Sequence, residues 1–264
     1  MPVRDTLASS WEEPIQGFVS TVAIKESAAL KLFDTTRLPN SLSRMVLTLH
    51  GSSISTCTQR AAVILYEKNV PFTMVEMDWS KHEHKSPAWT KNQPFGQVPY
   101  LDDDGFILFE SRAIGKYIAT KYASSGTPLL PSSNDAQTMA LVEQGVSIEN
   151  NNFNPGAEGL ALERIFKQSW GAEAEPKFVE KWETTLAGRM DGFEAILSKQ
   201  KYIGGNELTY ADFFFLPYGE ILIKLGYDYL TNEEKYPHVA RWWKELSSRE
   251  SWQKAKGGIK GIDA

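Results

Sequence analysis

The sequence predicts an α/β domain built on a mixed four-stranded sheet, followed by an all-α helical bundle. Three observations carry that reading. From Met45 to about Tyr122, short apolar runs and helix-period stretches follow one another in the order β-α-β-loop-β-β-α. The segment SSGTPLLPSS at 124–133 is rich in turn formers and marks a change of composition, so it reads as a linker. Beyond it the chain has helical periodicity almost to its end, interrupted at Pro, Gly or Asn. That element order within ~80 residues is a thioredoxin-like arrangement. At 264 residues and 42% hydrophobic content, the chain is long enough for two such domains.

The elements follow in order. VLTLH at 46–50 is the first strand, Thr56 to Asn69 a helix, and FTMVEMD at 72–78 alternates as a strand does. A polar, Trp-containing loop at 79–93 leads to VPYL at 98–101 and FILF at 106–109, separated by the acidic turn DDDG, a hairpin signal. A helix from Ser111 to about Tyr122 completes a domain at 45–124, with 125–133 as linker. The bundle occupies 134–264, with helices expected at 134–152, 155–169, 175–199, 209–225 and 236–255. Within it Thr209 and Asp212 fit a capping box with Asp in place of Glu, and Leu208 with Phe213 fits the hydrophobic staple. Residues 1–44 carry acidic side chains, Glu12, Glu13 and Glu26 among them, in equal number to basic ones. A mitochondrial presequence is acid-poor and a secretory signal has an apolar core, so this stretch reads as a poorly ordered extension outside the folded unit, with a short helix near Val22 to Leu32.

Composition narrows the function. A net charge of -5 leaves no global basic field for a nucleic-acid backbone. No apolar stretch approaches the ~18 residues of a membrane helix. A single cysteine, Cys57, allows neither an internal disulfide nor a thiolate cage, and the four histidines include no HExxH pair. His82 and His84, two apart in KHEHK, read as part of a solvated loop rather than as metal ligands. The expectation is a soluble, cytoplasmic protein with no metal, no membrane and no nucleic-acid partner.

Chemistry concentrates in GSSISTCTQR at 51–60, between the first strand and the first helix. Cys57, Ala61, Ile64 and Leu65 share a helical stripe, which turns Cys57 toward the core, although a thiol in a first turn also feels the positive end of the helix dipole. Ser55 sits where a serine is a favoured N-cap. Its hydroxyl is equally placed to donate to an anionic ligand atom held over the helix N-terminus. Local physics leaves both readings of Ser55 open.

Longer motifs separate them. HEHKSPAWTKNQPFGQVPYL, ending at Leu101, resembles the segment of phi-class glutathione transferases in which a His-Lys pair precedes an NPFGQ(V/I)P run. FESRAIGKYI at 109–118 resembles the Glu-Ser-Arg-Ala-Ile helix start of that class, and GSSISTCTQR its serine-bearing first loop. SIENNNFNP at 147–155 and LTYADFFFLP at 208–217 extend the resemblance from about Met45 to Trp252. Three departures stand out: the Gln in NQPFGQ, the presence of Cys57, and residues 1–44, which have no counterpart.

The resemblance implies an enzyme that uses glutathione as co-substrate and takes hydrophobic electrophiles, and that also reduces organic hydroperoxides with the same thiolate. Ser55 would stabilise that thiolate. Ser111 would hold the γ-glutamyl carboxylate and Glu110 the ammonium. Val98, through a cis bond to Pro99, would turn its backbone to the cysteinyl peptide group, and Lys85, with His84 and Gln97, would hold the glycyl carboxylate. The electrophile pocket is expected at Ile54, Phe153 and Phe166. Phe95, an aromatic in a polar loop, would plug into a second subunit of a homodimer. Arg60 and Arg112 read as structural. Two other functions fit the fold: a carrier of hydrophobic ligands with little turnover, and a noncatalytic regulatory or assembly domain. The set Ser55, Lys85, Gln97, Glu110 and Ser111 favours the enzyme, because a carrier needs no thiol-activating hydroxyl.

Overall fold

Strand β1 (Leu47–Gly51) alternates buried and half-buried residues, as a strand between two packed layers must. It pairs in parallel with β2 (Phe72–Glu76) and antiparallel with β3 (Tyr100–Asp103), which pairs antiparallel with β4 (Phe106–Phe109). The sheet is therefore mixed and four-stranded, in the order β2-β1-β3-β4. The expected third strand, 98–101, begins instead at Tyr100, since Pro99 has no N–H to give a ladder. Asp104 and Gly105, both at positive φ (55° and 86°), close the hairpin as a two-residue turn of this kind requires. These observations come from a computed structural model that describes residues 47–263; the expected extension at 1–44 and the helix near Val22 lie outside it.

Helix α1 (Thr56–Glu67) crosses over between β1 and β2 and packs beside α3 (Ser111–Lys121). On the opposite face of the sheet, short helix α2 (Pro87–Thr90) sets Trp89 edge-on against Tyr100, with ring centroids 4.9 Å apart. Met77 joins them in a small second core. The main core is continuous from Leu49 through Ala61, Ile64 and Ile114 into Phe213, Phe214 and Trp242 of the helical region, so the two expected domains share one interior.

The helical region differs from expectation in its breaks. Helices α4 (Ala136–Ile148), α5 (Asn154–Ala161) and α6 (Lys167–Ser169) form one path through π-helical turns at Glu149–Phe153 and Leu162–Phe166, where two separate helices were expected. Pro155 lies in the first turn of α5, and the wider π turn before it accommodates a residue that cannot donate and that crowds the preceding turn. After α7 (Pro176–Leu197), the expected helix at 209–225 divides into α8 (Tyr210–Phe213) and α9 (Leu216–Lys224). The expected helix at 236–255 divides into α10 (Pro237–Ser247) and α11 (Glu250–Lys256), with Arg249 extended between them. Asp212 closes the capping box of α8: the Thr209 N–H donates to its Oδ2 at 3.0 Å, while Ile203 N–H and Trp242 Nε1–H donate to Oδ1 at 2.9 Å each. No helix among the described residues is long and apolar enough to cross a membrane.

Candidate active site

Ser55 is the N-cap of α1, in extended conformation, and its Oγ accepts from the Thr58 N–H at a long 3.4 Å. That bond uses a lone pair and leaves the hydroxyl proton free to donate. The first-turn N–H groups of α1 point the same way, toward the opening beyond the cap. The loop behind Ser55 is tightly determined: Ser55 N–H donates to Ser52 O at 2.9 Å, and Gln59 Nε2 to Ser53 O at 3.0 Å. Gly51 is required where the loop leaves β1, because a Cβ there would lie 2.6 Å from the Thr58 hydroxyl oxygen.

Ser55 opens onto a cavity of ≈ 670 Å³ whose wall also includes Ile54, Phe166, Trp79 and Trp170. Ile54 is 77% exposed and Trp170 71%, so large apolar side chains stand open to solvent beside the Ser55 hydroxyl. Of the residues expected to form an electrophile pocket, Ile54 and Phe166 stand on this wall. Phe153 does not: it is 1% exposed and packs against Phe193 and Phe215 at 6.2 and 5.0 Å. The π turn that ends at Phe153 rotates its ring into the core. Trp79, Ser169 and Trp170 line the cavity without having been singled out by sequence, as does His82, which the sequence reading placed only in a solvated loop. An exposed Trp in each of two polar loops, DWS and QSWG, was the available signal.

His84 lies on the same wall, its ring 5.0 Å from that of Trp79. Its Nδ1 is buried and has no partner among the described residues. Burial, then the neighbouring Lys85 and His82, push its pKa below the ordinary imidazole value, so the ring is neutral at pH 7. Lys85 Nζ donates to Gly96 O at 2.7 Å and more weakly to Phe95 O at 3.4 Å, fixing the QPFGQ loop and leaving one of its three N–H groups uncommitted. Gly96 is at φ 60°, and a Cβ there would meet His84 O at 2.9 Å, so glycine is required twice over. Gln97 is exposed, and its backbone carbonyl accepts from Trp89 Nε1 at 2.8 Å. The Val98–Pro99 bond is cis. The pairing of His50 with Tyr100 continues to bring Pro99 beside Gly51, next to the serine loop.

Glu110 caps α3 at φ 71°, a left-handed conformation uncommon for a residue with a side chain, and is exposed. Ser111 is buried, its Oγ accepting from Arg60 Nη1 at 3.0 Å and so keeping its own proton to donate. Arg60 is 1% exposed and ties Ser111 to the helical region through Phe214 O at 3.2 Å, Asn154 Oδ1 at 3.3 Å and Glu149 Oε1 at 3.5 Å. Arg112 donates to both Glu149 oxygens, at 2.5 and 3.0 Å, so the two arginines are structural, anchored on one buried carboxylate. Cys57, expected to face the core, is half-buried, with Arg60 Nη1 3.5 Å from its Sγ. Helix α1 packs beside α3, α9 and α11 and shares its core with Leu49 and Leu101 of the sheet, so its buried positions extend beyond a single stripe. Among the described residues no group of three or more His, Cys, Asp or Glu could hold a metal.

Comparison with known proteins supplies the wider context. Residues 45–120 match the model for the glutathione S-transferase N-terminal domain and residues 153–250 that for its C-terminal domain. The chain is 43% identical over 197 residues to glutathione S-transferase PM239X14 of Arabidopsis thaliana, covering 74% of this chain and 88% of that one. The crystal structure of glutathione transferase F7 from Populus trichocarpa superposes with a TM-score of 0.75 at 33% identity, covering 81% of this chain and 100% of that one. Glutathione S-transferase I from maize, solved in complex with an atrazine glutathione conjugate, gives a TM-score of 0.72 at 31% identity, over 80% of this chain and 97% of that one.

Proposed function

The chain belongs to the glutathione S-transferase family, a family of enzymes, and on that premise we propose that it conjugates glutathione to hydrophobic electrophiles, with Ser55 holding the sulfur as a thiolate. One observation carries the reading: the capping hydroxyl of α1 lines a largely apolar cavity with its proton uncommitted. A thiol of ordinary pKa ~8.5 is mostly protonated at neutral pH, and each unit of depression requires ~1.4 kcal/mol of preferential stabilisation of the thiolate. The Ser55 O–H donates to sulfur, and the N-terminal dipole of α1 adds partial positive charge. The thiol proton leaves to solvent. Sulfur then forms a bond to the electrophilic carbon, and the leaving group departs with its electron pair. Ser55 forms no covalent bond.

The remaining groups hold the tripeptide. The Ser111 hydroxyl and the N–H groups of α3 suit the γ-glutamyl carboxylate, and the Glu110 carboxylate suits the ammonium. The Val98 backbone meets the cysteinyl peptide group as an added strand does. The third N–H of Lys85, the His84 ring, which lines the cavity, and Gln97 take the glycyl carboxylate. With a hydroperoxide in the cavity the same sulfur attacks oxygen, and a second glutathione completes the balance to alcohol, water and glutathione disulfide. Phe95, 66% exposed, is the contact of a two-fold homodimer.

A carrier of hydrophobic ligands is the competing reading, favoured by the exposed rim of Ile54 and Trp170. Assaying aryl halides, isothiocyanates and hydroperoxides with and without glutathione separates the two. Glutathione-dependent turnover that falls by roughly 10² in Ser55→Ala, the scale for losing one preorganised donor, with glutathione affinity little changed, is the expected result. Ligand binding with no turnover on any substrate would leave only the carrier.

A further inference from the structure

Strand β2 ends at Glu76, whose exposed carboxylate is fully engaged by the loop that carries Ser55. The Ser52 hydroxyl donates to Oε1 at 2.8 Å, the Ser53 N–H reaches both oxygens at 3.0 Å, and the Ser53 hydroxyl donates to Oε2 at 2.6 Å. Ser52 in turn accepts from Trp79 Nε1 at 2.9 Å, so a residue of the cavity wall belongs to the same chain of hydrogen bonds. Ser52 is 0% exposed, and its carbonyl accepts the Ser55 N–H at 2.9 Å. The sequence Trp79, Ser52, Glu76 and Ser53 therefore fixes the two residues from which the backbone turns to present the Ser55 hydroxyl.

We propose that Glu76 is a positioning residue for Ser55, holding the serine loop through this carboxylate clamp; the inference rests on the role given to Ser55 above. The charge of Glu76 argues against a direct part in the chemistry. An anion near a forming thiolate opposes it, so if charge were its whole influence, neutralising Glu76 would ease ionisation. If the carboxylate acts through geometry, neutralising it loosens the donor that the thiolate needs. The two roles move the same observable in opposite directions. A displacement on the order of 1 Å in a positioned catalytic group is enough to cost a large factor in rate.

The readout is the ultraviolet absorbance of the thiolate of bound glutathione, titrated with pH, together with kcat and KM. Glu76→Gln should raise the ionisation midpoint by about one unit and lower kcat roughly tenfold, a modest fraction of what misplacing a catalytic group can cost, with KM for glutathione within about twofold. Trp79→Phe keeps an aromatic side chain but removes the Nε1–H donor, and should shift the midpoint the same way by less; it also serves if Glu76→Gln does not fold. In a Ser55→Ala background, Glu76→Gln should change neither quantity further, as coupled residues require. A midpoint that falls or stays fixed in both single variants overturns the clamp, as does a double variant whose losses multiply. Should Ser55→Ala itself leave kcat and midpoint unmoved, the role of Ser55 fails first and the clamp with it. An active-site role for Ser55 with an inert Glu76 is thus a distinct result.

Discussion

Removing the ring of Phe153 and removing that of Phe166 should have opposite consequences. Phe153 is enclosed by Phe193 and Phe215, so Phe153→Ala leaves a cavity in the core and should cost ~3–5 kcal/mol in urea unfolding. Phe166 is half-buried on the cavity wall, so Phe166→Ala should change KM for the electrophile several-fold while stability moves little. The sequence places Phe153 between two expected helices and Phe166 within the second, whereas in the structure each phenylalanine ends a π turn on one continuous helical path, a geometry that periodicity does not announce. Ser55 is legible because its cap position follows from local rules alone. Glu76 is not, since its partners Ser52 and Ser53 lie 24 and 23 residues away and a carboxylate at a strand end is ordinarily just solvated.

At the scale of elements, α1 is the member on which the rest depends. Its N-terminus presents Ser55, and its C-terminus ends at Glu67, which is buried. Arg249 grips the Glu67 carboxylate with Nε at 2.6 Å and Nη2 at 2.7 Å, and the Ser251 hydroxyl donates to it as well. Burial alone pushes Glu67 up, but the bonds from Arg249, Ser251 and Thr127 outweigh it and hold the carboxyl below its ordinary 4.5. A depressed carboxyl stabilises the fold above its unfolded pKa and loses that contribution as pH falls through the lower folded value. Glu67→Gln should therefore be less stable than the parent by about 2–3 kcal/mol at pH 7. The difference should shrink as pH drops below 4.5, measured by denaturant unfolding of both proteins across the range. Nothing local announces the break at Arg249, which carries neither Pro nor Gly; Arg249 leaves the helix to reach Glu67, a partner 182 residues away. The hairpin at Asp104–Gly105 is the reverse case, because turn chemistry there is wholly local.

At the scale of the molecule, the order of strands and helices follows from periodicity, whereas the sharing of one core between sheet and helices does not, because α1 must be placed before both its faces are known to be covered. The proposed dimer belongs to this scale. Phe95 is 66% exposed beside Phe109, with Phe106 at 49% and Leu141 at 44% also outside the core. Sedimentation at micromolar concentration should show a two-fold dimer, and Phe95→Ala should weaken it at least tenfold, an aromatic anchor being worth ~2 kcal/mol or more. A monomeric parent protein would contradict it. The central claim concerns sulfur, and a single titration addresses it most directly: the ultraviolet absorbance of glutathione's thiolate on the full-length protein, as a function of pH, with Ser55 and with Ser55→Ala. The midpoint should lie at least one unit below the free thiol's ~8.5 in the parent and return close to ~8.5 in Ser55→Ala. A midpoint equally depressed in both proteins would mean that another group ionises the thiol, and that Ser55 only caps its helix.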